Sequence, residues 1–277
     1  MTLKEYYLTR SEQEIIENRK GEILNSFLGN DSHFRLIELG AGDGTKTQIL
    51  LEHFVQSDTD FVYSPIDISE SVLHQLRDSI EQAIPDLDIQ PIQGEYFDAL
   101  KALKGRTGKE VVMFLGSTIG NFGIEPGRQF LKSLGENLSN GDLLFIGFDL
   151  MKDPRTILAA YDDSEGVTKA FNLNLLTRIN EELGADFKLD QFNHYPTYNP
   201  LTGETRSYLV STQEQIVNIE ALDFQLKLKQ WEPIHTEISQ KYSMEMIEEF
   251  ARYAGFRVIE HFADSRNYFV DSLWEKI

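Results

Sequence analysis

The residues best suited to chemistry in this sequence gather just after runs of apolar and β-branched residues. The first group is Glu38-Leu39-Gly40-Ala41-Gly42-Asp43-Gly44, which closes the run from Phe34. Glycines at alternate positions there give a tight strand-to-helix turn whose backbone N–H groups a ligand can approach closely. A dinucleotide site uses G-x-G-x-x-G and sets a pyrophosphate over the next helix N-terminus. Here the third Gly comes one residue early and Thr45 holds the expected position, so the dinucleotide spacing is not met. Asp67 ends the run Asp60–Asp67. A carboxylate at such a point can accept both hydroxyl hydrogens of a ribose. Glu95 and Tyr96 follow Ile89–Ile92. The acid can accept from an adenine amino group, with the Tyr96 ring against the base. Three such groups after three successive strands define one ligand site, because ligands bind outside the carboxyl ends of such strands. A fourth segment, Phe114-Leu-Gly-Ser-Thr-Ile-Gly-Asn-Phe122, offers polar groups, Asn121 among them, that can hold an amine.

These groups need a framework of alternating strands and helices. Strands are expected at Phe34–Leu39, Asp60–Asp67, Ile89–Ile92, Val111–Leu115 and Asp142–Phe148. Helices are expected at Lys46–Phe54, from Ser69 as N-cap to Ala83, at Phe97–Leu103 and at Pro126–Leu138. That order implies βαβ units and a mostly parallel sheet. The pattern changes after Leu150. A helix begins at Asp153-Pro154 and another spans Val167–Leu183. A loop-rich stretch, Asn193–Gly203, carries Pro196 and Pro200, and β-like runs follow at Thr205–Ser211, Gln215–Ile219, Phe224–Lys229 and Ile234–Ser239. The βα pattern returns with a helix from Ser243 to Ala254, Gly255 at its C′ position, and late strands at Phe256–Phe262 and Asn267–Val270.

Composition narrows the function classes. The 277 residues are 41% hydrophobic and 26% charged, ample for a globular core, and the net charge is -19. No Lys/Arg-rich run offers phosphates a basic face, so nucleic acid and anionic membrane surfaces are not the expected partners. Cysteine is absent, which excludes disulfide and thiolate chemistry. The six histidines form no familiar metal spacing, so no metal is expected. No apolar h-region opens the chain and no apolar run is long enough to span a bilayer, which points to a cytoplasmic protein, expected to be a monomer.

The E-x-G-x-G-x-G turn resembles the first motif of class I methyltransferases, which implies S-adenosyl-L-methionine as cofactor. The fold expected is then α/β, a class I (Rossmann-like) methyltransferase with an inserted α+β substrate-binding domain. Residues 15–151 and 242–277 would form the Rossmann-like domain, and residues 1–14 and 152–241 the substrate-binding or lid domain. More closely, the sequence resembles the histidine-specific methyltransferases of ergothioneine biosynthesis, whose products carry a trimethylated α-amino group. The matching segments include Glu5-Tyr-Tyr-Leu-Thr-Arg10, Leu39–Lys46, Pro65-Ile-Asp-Ile-Ser69, Phe114–Asn121, Lys152-Asp-Pro154, Ala160-Tyr-Asp-Asp163, Gly166-Val-Thr168, Ala170-Phe-Asn172 and Thr236-Glu-Ile-Ser-Gln-Lys241. They span nearly the whole chain in one order.

The resemblance implies that Gly40, Lys46, Asp67, Glu95 and Tyr96 contact the cofactor, beside Glu38 and Gly42 of the same turn. It implies that Asn121 and Tyr161 hold a substrate carboxylate, with the backbone at Gly116 near the amine and Tyr7 lining the pocket. Glu237 and Ser239 would bind an imidazole. Where characterised bacterial members place a Met beside that ring, this sequence has Ser207. The reaction implied is methyl transfer to the α-amino group of an amino acid, histidine first. A tryptophan-like substrate and a non-catalytic protein that binds the cofactor or a metabolite are the alternatives. Direct displacement by an unprotonated amine requires no strong general base, since burial beside a cationic sulfonium lowers the amine pKa and in-line positioning supplies much of the acceleration.

Overall fold

The computed structural model describes residues 5–103 and 108–277; residues 1–4, the start of the expected lid segment, lie outside it. The chain forms two compact units. The larger comprises Leu8–Leu150 and Tyr242–Ile277, the smaller residues 5–7 and Met151–Lys241.

The larger unit opens with helix α1 (Leu8–Leu28), which turns a stripe of Leu8, Ile15, Ile16, Ile23, Leu24 and Phe27 inward. Buried Ser11 and Glu12 interrupt that stripe, and the helix has no counterpart in the expected elements. It begins well before residue 15, where the sheet domain was expected to start. Then come β1 (His33–Leu39), α2 (Thr45–Gln56), β2 (Asp60–Asp67), α3 (Glu70–Ala83), β3 (Ile92–Gln93), α4 (Tyr96–Leu103), β4 (Lys109–Phe114), a 3₁₀ turn at Thr118–Phe122, α5 (Ile124–Glu136) and β5 (Leu143–Asp149). Ser69 caps α3 as expected, its hydroxyl accepting the Val72 N–H.

The smaller unit contains α6 (Pro154–Tyr161), α7 (Val167–Leu183), β6 (Phe192–Asn199), β7 (Glu204–Ser211), β8 (Gln215–Ile219), β9 (Phe224–Leu228) and β10 (Pro233–Gln240). Its three-stranded sheet runs β10-β7-β6, and β8 pairs with β9 separately. The stretch expected to be loop-rich is therefore corrected: most of it is strand β6. Pro196 argued against a strand because it lacks an N–H, yet β6 is an edge strand, where the missing donor costs no ladder bond if it faces outward.

The larger unit resumes with α8 (Met244–Tyr253), β11 (Phe256–Ala263) and β12 (Phe269–Lys276). The last strand is longer than expected, because Asp271 and Ser272 break its apolar run although both are fully buried. The seven strands lie in the order β11-β12-β5-β4-β1-β2-β3. Strands β1 to β5 are parallel, and β12 is antiparallel to both β5 and β11. The strand order reverses between β1 and β4, so a crevice opens at their carboxyl ends, where such sheets bind ligands. Alternate residues of β1 serve opposite faces: Phe34 and Leu36 join a core with Phe27, Phe54 and Phe145, while Ile37 and Leu39 join one with Phe114, Phe130 and Trp274.

A polar knot lies within this unit. Glu12 is fully buried; one carboxylate oxygen accepts the Gly116 N–H at 2.6 Å and the other pairs with Lys46. Asp271 is buried beside it, and its oxygens meet no N–H or O–H donor among the described residues; its side-chain neighbour there is the Glu12 carboxylate. Burial, and then the Glu12 charge, push the Asp271 carboxyl well above the ordinary aspartate value, with Lys46 opposing. Unfolded, Asp271 ionises near that ordinary value; folded, it keeps its proton to higher pH. Its contribution therefore favours folding most at low pH, and stability falls as pH rises toward the folded value. Asp271→Asn should abolish that fall. The variant should melt about 2–4 °C above the parent at pH 8, the shift produced by roughly 1 kcal/mol in a domain of this size, and the difference should vanish near pH 4. Parallel melting curves across this range would show that Asp271 is not held protonated.

Candidate active site

Sheet reversal brings the turn after β1 and the loop after β4 to one edge of the larger unit. Gly40 and Gly42 have φ of 72° and 59°, a left-handed backbone that glycine adopts without strain. A side chain at Gly40 would lie 2.7 Å from the Tyr96 hydroxyl. One at Gly42 would meet nothing within 4 Å among the described residues, so that backbone faces open space. Tyr96, at the start of α4, sits near both strand-end acids: burial first, then the charges of Asp67 and Glu95, raise its phenol above the ordinary value. Asp67 is half-buried and one oxygen accepts the Ser69 N–H at 2.9 Å. Ile68, the next residue, is 65% exposed, an apolar surface beside a carboxylate that sequence patterning did not single out.

Two expected cofactor residues are engaged by neighbouring side chains. Glu38 is buried behind the turn, with its oxygens taken by the Thr47 hydroxyl at 2.6 Å and the Tyr63 hydroxyl at 2.5 Å. Burial raises its carboxyl above the ordinary range against the pull of those two bonds. It ties the end of β1 to the first turn of α2 and to β2, and so braces the glycine turn. Lys46 is paired with Glu12, and its ammonium would lie 3.7 Å from a side chain placed on Gly116. Burial lowers the Lys46 value, but the charge of Glu12 and the hydrogen bond to it lead the opposing effects and outweigh it, so Lys46 stays cationic.

In the loop after β4, Gly116 has φ of 77° and Ser117, a residue with a side chain, has φ of 54°. Left-handed backbone at a non-glycine residue is strained, and such strain gathers at functional sites. Ser117 is held by its hydroxyl, which accepts the Asp149 N–H at 3.0 Å. Asn121 is exposed on the following 3₁₀ turn.

The smaller unit carries the other expected substrate residues. Tyr7 is buried; its hydroxyl accepts from Lys152 at 2.8 Å, and the same ammonium lies 4.3 Å from the ring centre. On the three-stranded sheet Ser207 pairs with Glu237 and Thr205 with Ser239. The Ser207 and Thr205 hydroxyls are buried without a hydrogen-bond partner among the described residues. Ser239 and Tyr161 are joined, the phenol donating to the serine oxygen at 2.8 Å. Glu237 borders a cleft of about 310 Å3, with Phe171, Asn172 and Arg178 of α7 on its walls. Burial raises the Glu237 carboxyl, and the charge of Lys241 partly offsets the rise. Two further residues escaped the sequence reading, Glu12 and Lys241, each fully buried and each charged.

A family model described as "Histidine-specific methyltransferase, SAM-dependent" matches residues 1–276. The chain belongs to this family. Relatives include the histidine N-alpha-methyltransferase of Mycolicibacterium smegmatis, 36% identical over 95% of this chain and 80% of that protein. The protein of the same name from Mycobacterium tuberculosis is 34% identical over 99% of this chain and 84% of its own length. Among solved structures, the CcbJ methyltransferase of Streptomyces caelestis aligns with a TM-score of 0.50 at 14% identity, over 94% of this chain and 89% of that one. That likeness shows the class I methyltransferase fold.

Membership of this methyltransferase family makes S-adenosylmethionine the cofactor, and the larger unit fits it. The open backbone at Gly42, the half-buried Asp67 and the apolar surface of Ile68 suit a turn, a ribose and a base. Among the described residues no group of His, Cys, Asp and Glu could hold a metal, and no helix is long and apolar enough to cross a membrane. Asp67→Ala removes the carboxylate expected to accept two ribose hydroxyls and should weaken cofactor binding by about 1.5–3 kcal/mol, the range for hydrogen bonds to a charged group. Calorimetric titration with S-adenosylhomocysteine measures it, and unchanged affinity would remove Asp67 from the ribose.

Proposed function

We propose that this enzyme transfers methyl groups from S-adenosylmethionine to the α-amino nitrogen of L-histidine. The observation that carries the reading is the polar group of the smaller unit, in which Glu237 and Ser239 alternate on β10 and Ser239 is bonded to Tyr161. Residues two apart on a strand share a face, so the carboxylate and the hydroxyl serve one ligand. Glu237 accepts the ring N–H of an imidazole, Ser239 meets the other ring nitrogen, and the Tyr161 phenol bonds the substrate carboxylate. Asp67, Glu95, Tyr96 and the glycine turn hold the cofactor, and Gly116 and Asn121 are the groups of the larger unit assigned to the substrate. Bound there, S-adenosylmethionine supplies an electrophilic methyl on a sulfonium. The work left to the protein is to hold a neutral amine in line with that carbon. The names of the curated relatives support the same substrate.

Mass spectrometry of products from the twenty amino acids tests the substrate directly, with histidine expected to lead. Glu237→Ala should collapse the preference for histidine over tryptophan, since a site built around a hydrogen bond rejects rings that leave its carboxylate unpaired. A parent that prefers the indole, or a ratio untouched by Glu237→Ala, would overturn the assignment. The raised Glu237 carboxyl adds a pH signature. Catalytic efficiency should fall as pH drops through its value, because the protonated acid accepts poorly, and Glu237→Gln should lose that limb.

Tyr161→Phe deletes only a hydroxyl. It should raise the histidine KM by about tenfold, the loss of one hydrogen bond to a charged group, and leave cofactor affinity intact. Equal efficiency in mutant and parent would take Tyr161 out of substrate binding.

A further inference from the structure

Lys241 is fully buried at the end of the segment that carries Glu237 and Ser239. Its ammonium donates to the Tyr161 oxygen at 2.6 Å and to the Ser239 oxygen at 2.8 Å, and it lies 4.7 Å from the centre of the Tyr161 ring. The backbone holds it there. The Lys241 N–H donates to the Gly203 carbonyl at 2.8 Å, and the Gln240 amide, itself buried, donates to the carbonyls of Thr202 and Lys241 at 2.6 Å. A buried lysine clamped on both sides of its own peptide is expensive to maintain unless its charge serves something.

We propose that Lys241 is a positioning residue that makes Tyr161 and Ser239 act as hydrogen-bond donors toward the substrate, so that the site selects a ligand offering a carboxylate and a bare ring nitrogen. This rests on the substrate reading above and goes one step past it. A hydroxyl can donate or accept, and which it does for a ligand depends on what already occupies its lone pairs. Lys241 has no acceptor capacity and donates to both oxygens, so each is committed to accepting from the protein. In the free protein the Ser239 oxygen also accepts from Tyr161, so its proton is the part it offers outward. The Tyr161 proton rests on Ser239 in the free protein. A carboxylate is a stronger acceptor than a serine hydroxyl and draws that proton to itself; the Lys241 ammonium still holds the Ser239 oxygen, and its charge turns the serine proton away from it, toward the ligand. With Glu237 able only to accept when ionised, the three groups read one pattern: an N–H at one ring position, a lone pair at the other, and an anionic oxygen beyond. A neutral imidazole meets it. An indole or pyrrole has an N–H and no lone pair in the ring plane, and it leaves the Ser239 proton without a partner.

The test compares L-histidine with β-(pyrrol-2-yl)alanine, a five-membered ring of similar size that has the N–H and lacks the bare nitrogen. The full-length parent should prefer histidine. In Lys241→Met both hydroxyls are free to turn round and accept. The histidine KM should rise by about tenfold with kcat little changed, and the histidine-to-pyrrole efficiency ratio should fall by about fivefold or more, the scale of a single neutral hydrogen bond. A merely structural lysine would lower both substrates alike and leave the ratio fixed, which would overturn the proposal. If Lys241→Met fails to fold, Ser239→Ala carries the test: it should cost histidine about tenfold and the pyrrole almost nothing, and an equal cost to both would overturn the proposal. The two levels separate cleanly. A parent that methylates no histidine sinks the substrate reading and this inference with it. A parent that methylates histidine, with ratios unmoved in the variants, sinks the inference alone.

Discussion

One buried carboxylate joins the parts of the larger unit that matter most. Glu12 reaches from α1 to the Gly116 N–H in the loop after β4 and to Lys46 in the first turn of α2. Those are the two chain segments that emerge on either side of the sheet reversal. Strand pairing fixes β1 and β4 as neighbours but does not fix the loops beyond their ends. A single acid with both oxygens engaged does so, because a charge in that position is costly to leave unpaired and the loops cannot drift apart without unpairing it. The strained Ser117 backbone is affordable in this setting, since its hydroxyl is pinned to Asp149 on the adjoining strand.

Buried acids recur through this unit with different duties. Glu38 has hydroxyl donors on both oxygens and braces a turn; Glu12 has a cation and an amide; Asp271 has neither and is best kept neutral. The strongly acidic composition is therefore not only a solvated surface. Part of it is placed where desolvation decides protonation, and the partners of each group set the direction.

Much of this was legible in the sequence because it follows from local rules. The glycine turn, the strand-end Asp67, the Ser69 cap and the Gly255 helix end announce themselves through residue type and spacing. The elements that escaped did so for one reason. Helix α1 and strand β12 bury polar residues, Ser11 and Glu12 in one, Asp271 and Ser272 in the other, and periodicity searches read those as solvent-facing. Strand β6 was hidden by Pro196, whose tolerance depends on an edge position that only the assembled sheet reveals. Lys241 was hidden likewise. A lysine at the end of a strand reads as surface, and nothing short of the folded partners Tyr161 and Ser239 says otherwise.

The placement of β12 reaches back into how the polypeptide is made. It is the last strand in the chain, yet it sits between β11 and β5, with every residue from Phe269 to Trp274 buried. During synthesis β1 to β5 emerge first, and β5, whose seven residues are all buried in the finished protein, has no neighbour on that side. The whole smaller unit must then be translated before its partner arrives. For that interval the nascent protein displays an unpaired, strongly apolar strand edge, which is a template for wrong pairing. The order of synthesis thus sets a kinetic demand on folding, an exposed edge to be kept from wrong partners, that the stability of the final fold does not measure.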